Sequence, residues 1–445
     1  MRTQHGFVLC LVVALVLTAC GAGGGTGAPA ATSAPAAEPT AAAAPTAAAA
    51  QPTEAPKPTE APQPTEAPKP TEAAAPTAMA EPTAAGGTSA SGTIKIGVMG
   101  PFTGPAASVG QEQLNFAKLA VEDFNKANGT KIELVEGDTQ LDPAKATDVA
   151  TRFGGDADIY VIVGPAGSQE VLAVQPVFEK ANLAFVSPSA TRTDLTEKSW
   201  KNFFRVVPRD DVQGSTDANY MIDQLKAKKV WIIDDQSAYA TGLRDEVSKV
   251  LKDKVVAVTT ESITQKDSDF SSLVTKMKGD QPDVVFIPWQ LATQGALLAK
   301  QMAEQNVKAT LFGGDGIFSA KDFIEGAAGT TEGAYVSLFA PDISGVASSK
   351  AIVDAYKAKY GDFGPFGAPT YAATMIVLEA ILRAQKAGTL SRDAVVAELA
   401  KTNQPTSILG GPIKLNAKGD VENAKFYLYQ VKDGKFVPVL SLIHI

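Results

Sequence analysis

Two cysteines and two histidines are all that the 445 residues contain, and none of the four falls between residues 93 and 439. Cys10 and His5 lie in an apolar leader, Cys20 heads a low-complexity stretch and His444 stands one residue from the end. The part with a folding texture is thereby deprived of Cys or His nucleophiles, thiolate or imidazole zinc ligands and disulfides. Any catalysis there would have to use carboxylate, Lys, Ser or Tyr chemistry without an imidazole base. No GxxxxGK[ST] loop and no GxSxG elbow is present either. A net charge of -8, with no Lys/Arg clustering, argues against nucleic acid as a partner.

What is there begins with Arg2 and the apolar run "FVLCLVVALVL", too short to span a bilayer, then "LTAC" at 17–20. Residues 1–19 read as a signal peptide. "LTAC" followed by small residues resembles the lipobox of bacterial lipoproteins, which implies cleavage before Cys20 and lipid on its sulfur. From Cys20 to Gly92 the chain is Ala-, Pro- and Thr-rich, with "PTEAPKPTEAPQPTEAPKPTEA" at 52–73. So little bulky apolar surface does not offset the entropy of ordering, and the expectation is a disordered tether. At about 3.1 Å per residue in polyproline II it would reach up to about 200 Å.

From Thr93 strands and helices alternate. "TIKIGVMG" is a β-branched run, and the helix after it places Leu114, Ala117, Val121 and Phe124 on one face, with Gly129 as its stop. Asp142 and Pro143 open the next helix, as cap and first residue. "DIYVIVGP" and "LAFVSPSAT" end a first βα array. The alternation restarts at "KVWIIDD" and runs through "DVVFIPW", "KATLFGGDG" and "GAYVS", with "SAKDFIEGA" read as a helix and "FYLYQVKDGKFVPVL" as a hairpin around 432–434. The spacing predicts an α/β protein of two doubly wound lobes with parallel sheets.

In such sheets ligands sit beyond the carboxyl ends of strands, near helix N-termini. "VIVGPAGSQ" and "FVSPSAT" are turns of that kind, and Ser168, Ser189 and Thr191 offer hydroxyls that either donate to an anionic oxygen or merely cap the helices that follow. Asp315, in "GGDGI" after a second-lobe strand, is either the partner of a ligand cation or a turn aspartate.

The ordered set "IKIGVMGPFTGPAASVGQEQLNFAKLAVEDFN", "VIVGPAGSQEV", "FVSPSATRTDLT", "FFRVVPRDDVQG" and "GGDGIF" resembles the branched-chain-type amino-acid-binding proteins of ABC importers, over roughly 93–439. The resemblance implies two type I lobes joined by a three-strand hinge and no enzymatic activity or cofactor. It divides the chain into 93–208 and 338–408 for lobe 1, 209–337 and 409–439 for lobe 2, and 440–445, "LSLIHI", as a tail foreign to the fold. It further implies that Ser168, Ser189, Ala190 and Thr191 grip the α-carboxylate and amino group of an amino acid, and that Asp315 and Tyr239 complete the site. Trp289 stands where the family lines its cleft, with core packing as the other reading. Val109 replaces a bulkier pocket residue in relatives, so ligand size is not inherited. The implied partners are the amino acid or an analogue, a membrane permease and the lipid anchor, with the protein a monomer on the outer face of the cytoplasmic membrane. A sensory lipoprotein with the same cleft is the alternative.

Overall fold

The computed structural model describes residues 93–254 and 256–440. The signal peptide, Cys20, the tether and the end of the tail lie outside the described residues. The chain starts with β1 (Lys95–Gly100), α1 (Ala107–Asn128), β2 (Glu133–Asp138), α2 (Pro143–Gly155), β3 (Ile159–Val163), α3 (Ser168–Lys180), β4 (Ala184–Ser187) and β5 (Phe203–Arg205). These strands form one sheet in the order β2-β1-β3-β4-β5, and every pairing in it is parallel. Local chemistry explains the breaks. Gly129 closes α1 in the left-handed region, and the Asp142 carboxylate accepts from the N–H groups of Ala144 and Lys145 to open α2.

The second array follows as α4 (Asp210–Asp223), β6 (Lys229–Asp234), α5 (Ala238–Asp253), β7 (Ala257–Ser262), α6 (Ser271–Asp280), β8 (Val284–Ile287), α7 (Ala292–Glu304), β9 (Thr310–Gly313) and β10 (Tyr335–Leu338). Then come α8 (Lys350–Tyr360), α9 (Gly367–Lys386), α10 (Arg392–Leu399), the two-residue strands β11 (Asn403–Gln404) and β12 (Ile413–Lys414), and the hairpin β13 (Tyr427–Lys432) and β14 (Lys435–Leu440). The second sheet runs β14-β13-β10-β9-β8-β6-β7, parallel except for the hairpin at its edge. Asp433 and Gly434, both at positive φ, make the turn at the expected place. The "SAKDFIEGA" segment does not form a regular α-helix. A single π turn over Ala320–Glu325 replaces it.

Each sheet is covered on both faces by helices, so each lobe has two apolar layers. In the first lobe, Phe116, Leu119 and Phe124 of α1 meet Ile376, Val377 and Ile381 of α9 over one face of the sheet, while Phe153 and Phe178 cover the other. Burial of each such side chain contributes about 1.5–3 kcal/mol. Close approach requires glycine at Gly367, where a Cβ would lie 2.0 Å from the Phe116 ring. A separate small cluster of Val207, Phe339, Ala340, Phe366 and Phe426 gathers one or more residues from each of the three segments that pass between the lobes, which makes it the pivot. Among the described residues no helix is long and apolar enough to cross a membrane.

Candidate functional site

Strand order reverses between β1 and β3 in the first sheet and between β6 and β8 in the second, and in an open α/β sheet such switch points open a crevice at the strands' carboxyl ends. The two crevices face each other. Between them lies a cavity of about 50 Å³, lined from the first lobe by Pro101, Ala106, Val109, Leu141, Ala166, Gly167, Ser168, Ser189 and Phe366, and from the second by Tyr239, Gln290, Asp315 and Gly316.

On the first bank nothing carries a formal charge. The cavity meets the N-terminus of α3, whose leading N–H groups point outward from the helix. Ser168 Oγ accepts from the Arg192 N–H at 3.3 Å, so its own proton is free to donate. Ser189 is already engaged, donating to the Ala166 carbonyl at 3.0 Å and accepting from Gln113 Nε2 at 3.1 Å. Buried Arg205 holds this loop from behind. Its guanidinium pairs with Asp420 at 2.6 Å and donates to the carbonyls of Ala190 and Arg192 and to Thr196 Oγ1.

The opposite bank centres on Asp315, 4% exposed. Gln213 Nε2 donates to its Oδ1 at 2.8 Å and Tyr239 Oη donates to the same oxygen at 2.9 Å. Burial pushes the Asp315 carboxyl up to about 6, against the opposing pull of these two donors. Burial, with Asp315 alongside, pushes the Tyr239 phenol well above its ordinary value, so it remains a donor. Behind it α4 carries two more sealed acids. Burial raises Asp210 to about 8, beside the Thr191 hydroxyl, and raises Asp217 well above the usual carboxylate range.

Three of the sequence candidates do not reach the cavity. Trp289 is fully buried in the second lobe's core, where its indole N–H donates to the Ile233 carbonyl at 2.6 Å and its ring packs on Phe270. Gln290, the next residue, faces the cavity instead. Ala190 and Thr191 turn inward, with the Ala190 N–H donating to Ser187 Oγ and the Thr191 carbonyl accepting from the Asp210 N–H. The cavity brings together Ser168, Ser189, Val109, Tyr239 and Asp315, and adds Leu141, Phe366 and the Gln213 prop, which sequence reading missed. One signal for Gln213 was present: Asp210, Gln213 and Asp217 are spaced i, i+3 and i+7, a polar stripe on one helix face.

The lobes are clasped at three points. Ser108 Oγ donates to Asp322 Oδ2 at 2.8 Å, Gln169 and Gln290 exchange amide hydrogen bonds at 2.9 and 3.3 Å, and Arg192 Nη1 donates to the Ala238 carbonyl at 2.6 Å. This is a closed cleft. Among the described residues no group of three or more His, Cys, Asp or Glu is placed to hold a metal ion.

Two facing βα lobes with a gap at their switch points do not by themselves name a family, so family membership rests on the whole chain. Residues 93–435 match the family described as periplasmic binding protein. The chain belongs to that family. Its binding-protein relatives include the Leu/Ile/Val-binding protein BraC3 of Rhizobium johnstonii, 33% identical over 356 residues that cover 78% of this chain and 94% of the relative. A leucine-, isoleucine-, valine-, threonine- and alanine-binding protein of Pseudomonas aeruginosa is 30% identical, covering 77% of this chain and 90% of the relative. Among solved structures, the branched-chain amino acid transporter substrate-binding protein of Streptococcus pneumoniae in complex with isoleucine superposes with a TM-score of 0.69 at 28% identity, covering 78% of this chain and all of that one. Periplasmic binding proteins of ABC importers work outside the cytoplasm.

Proposed function

We propose that this periplasmic binding protein captures an amino acid with a small aliphatic side chain and delivers it to the permease of an ABC importer. One observation carries the reading: a bank of uncharged donors, Ser168 with the α3 N-terminus, faces a lone acid, Asp315, across a gap with an apolar stretch of wall beside them. Uncharged donors suit a carboxylate, the acid suits an ammonium, and Pro101, Ala106, Val109, Leu141 and Phe366 suit a hydrocarbon side chain. The relatives that bind Leu, Ile, Val, Thr and Ala support the same class. Ser189, Tyr239 and Val109 belong to the proposed site, and lipid on Cys20 tethers the domain to the membrane's outer face as a monomer; the expected boundary at 409 moves to about 426, because Ile413, Leu415 and Val421 pack into the first lobe's core and Asp420 pairs with Arg205.

Closure is the working step. Only the closed form engages both banks at once, so the ligand stabilises it by the contacts that the open form lacks. A thermal-shift screen of the 93–440 domain against Ala, Val, Leu, Ile, Phe, their deaminated acids and benzoate tests this. At a hundred dissociation constants of ligand the native state gains about 2.7 kcal/mol. A rise in Tm with aliphatic amino acids and none with the deaminated acids is expected; a larger rise with benzoate than with any amino acid refutes the proposal.

A further inference from the structure

Asp315 is held asymmetrically. Both side-chain donors, Gln213 Nε2 and Tyr239 Oη, meet Oδ1, and among the described residues neither engages Oδ2. Gln213 is itself fixed. The same Nε2 donates to Ser337 Oγ at 2.9 Å, and Ser337 donates to Asp217 Oδ2 at 2.9 Å. The relay thus runs from α4 through β10 to the end of β9, and all its members are buried. A carboxylate on a single turn can rotate about its terminal torsion, so two donors on one oxygen select one orientation.

We propose that Gln213 is a positioning residue of the ligand site, whose amide, acting with Tyr239, holds Oδ1 of Asp315 and leaves Oδ2 as the oxygen offered to the ligand's ammonium. The proposal rests on the reading of Asp315 as the ammonium partner. Gln213 touches no ligand in this scheme. Its effect passes through the acid in two ways: it fixes the aim of Oδ2, and, as a donor to the charged form, it opposes the burial that pushes Asp315 upward. The ionisable groups around Asp315 are Asp210 and Asp217 on α4 and Tyr239 on α5, with Arg192 and Arg205 facing Asp210 from the first lobe. Asp315 ionises before both neighbouring acids, which its charge pushes further up, and Gln213 and Tyr239 are its neutral support.

The test is a carboxyl-carbon NMR titration of the ligand-free protein. The Asp315 resonance is identified as the one missing from Asp315→Asn, and its midpoint is compared between the parent and Gln213→Leu. Loss of a hydrogen bond to a charged acceptor raises the midpoint by about one pH unit or more. Valine affinity, by calorimetry, should fall about twofold at pH 7 and about tenfold at pH 5, where Asp315 is mostly protonated in both proteins. If Gln213→Leu fails to fold, Gln213→Asn withdraws the amide by one methylene and should move the midpoint in the same direction. A lowered Tm with an unmoved midpoint would show Gln213 to be packing only and overturn the proposal. A raised midpoint in a protein that does not bind valine, leucine or isoleucine would uphold the positioning of Asp315 and refute the ligand reading instead.

Discussion

Replacing Asp315 by Asn should weaken binding and strengthen the fold at the same time. The side chain is 4% exposed and keeps its shape, so Tyr239 and Gln213 can still donate to the amide oxygen. What is lost is the charge opposite the ammonium. Truncating one partner of a buried charge pair costs roughly 2–5 kcal/mol, which is about thirtyfold to a few thousandfold in affinity. Stability moves the other way. Burial raises the acid from 3.8 to about 6, so the ionised form is disfavoured in the ligand-free closed protein. That difference corresponds to about 3 kcal/mol, absent below pH 3.8, growing as pH rises towards 6 and level above it. The variant should therefore melt higher than the parent at pH 7.5 and at the same temperature at pH 3.5, while calorimetry with valine or leucine records the weaker binding. Affinities within about threefold of each other would remove Asp315 from the site, because that is under 1 kcal/mol. A parent that melts higher at pH 7.5 would refute the burial argument.

Three further outcomes follow from other parts of the molecule. Glu170 is fully buried and raised from 4.5 to about 7 by burial; Glu170→Gln should thus gain about 3 kcal/mol relative to the parent at pH 8 and little at pH 4, read by urea unfolding at the two pH values. Arg205→Ala would strand Asp420 in the interior and free the loop carrying Ala190 and Arg192, with a loss of about 3–5 kcal/mol in the same assay. Arg192→Ala removes a clasp that the open form lacks, and should lower ligand affinity about tenfold. Small-angle scattering at saturating valine would show the fraction closed, and an unchanged affinity would mean that the clasp adds nothing to closure.

Much of this architecture was legible because the βα alternation leaves a strong pattern: parallel strands buried on both faces read as short runs such as "VIVG" and "VVFI". Glycine and proline punctuated it at Gly129, Pro143 and Gly434. Where reading failed, the deciding contact was remote in sequence. Trp289 follows a strand end as a cleft residue would, but the Ile233 carbonyl, 56 residues earlier, takes its indole N–H and draws the ring into the core. Phe366 lies some 260 residues from the β1 turn whose cavity it completes, and no local periodicity announces that. Thr191 looked like a donor because of its hydroxyl. Its orientation was set by Arg205 and Asp210, which only the folded loop brings beneath it.

Phe366 belongs both to the pocket wall and to the pivot, where its ring meets Phe339 edge-on at 5.5 Å. In the proposed site a ligand's hydrocarbon tail would therefore rest on the joint between the lobes. Too long a tail acts as a wedge at the fulcrum, and a small displacement there is magnified at the rim, where Ser108 must find Asp322. In that reading the joint would gauge its cargo, translating a methylene of length into a jaw angle.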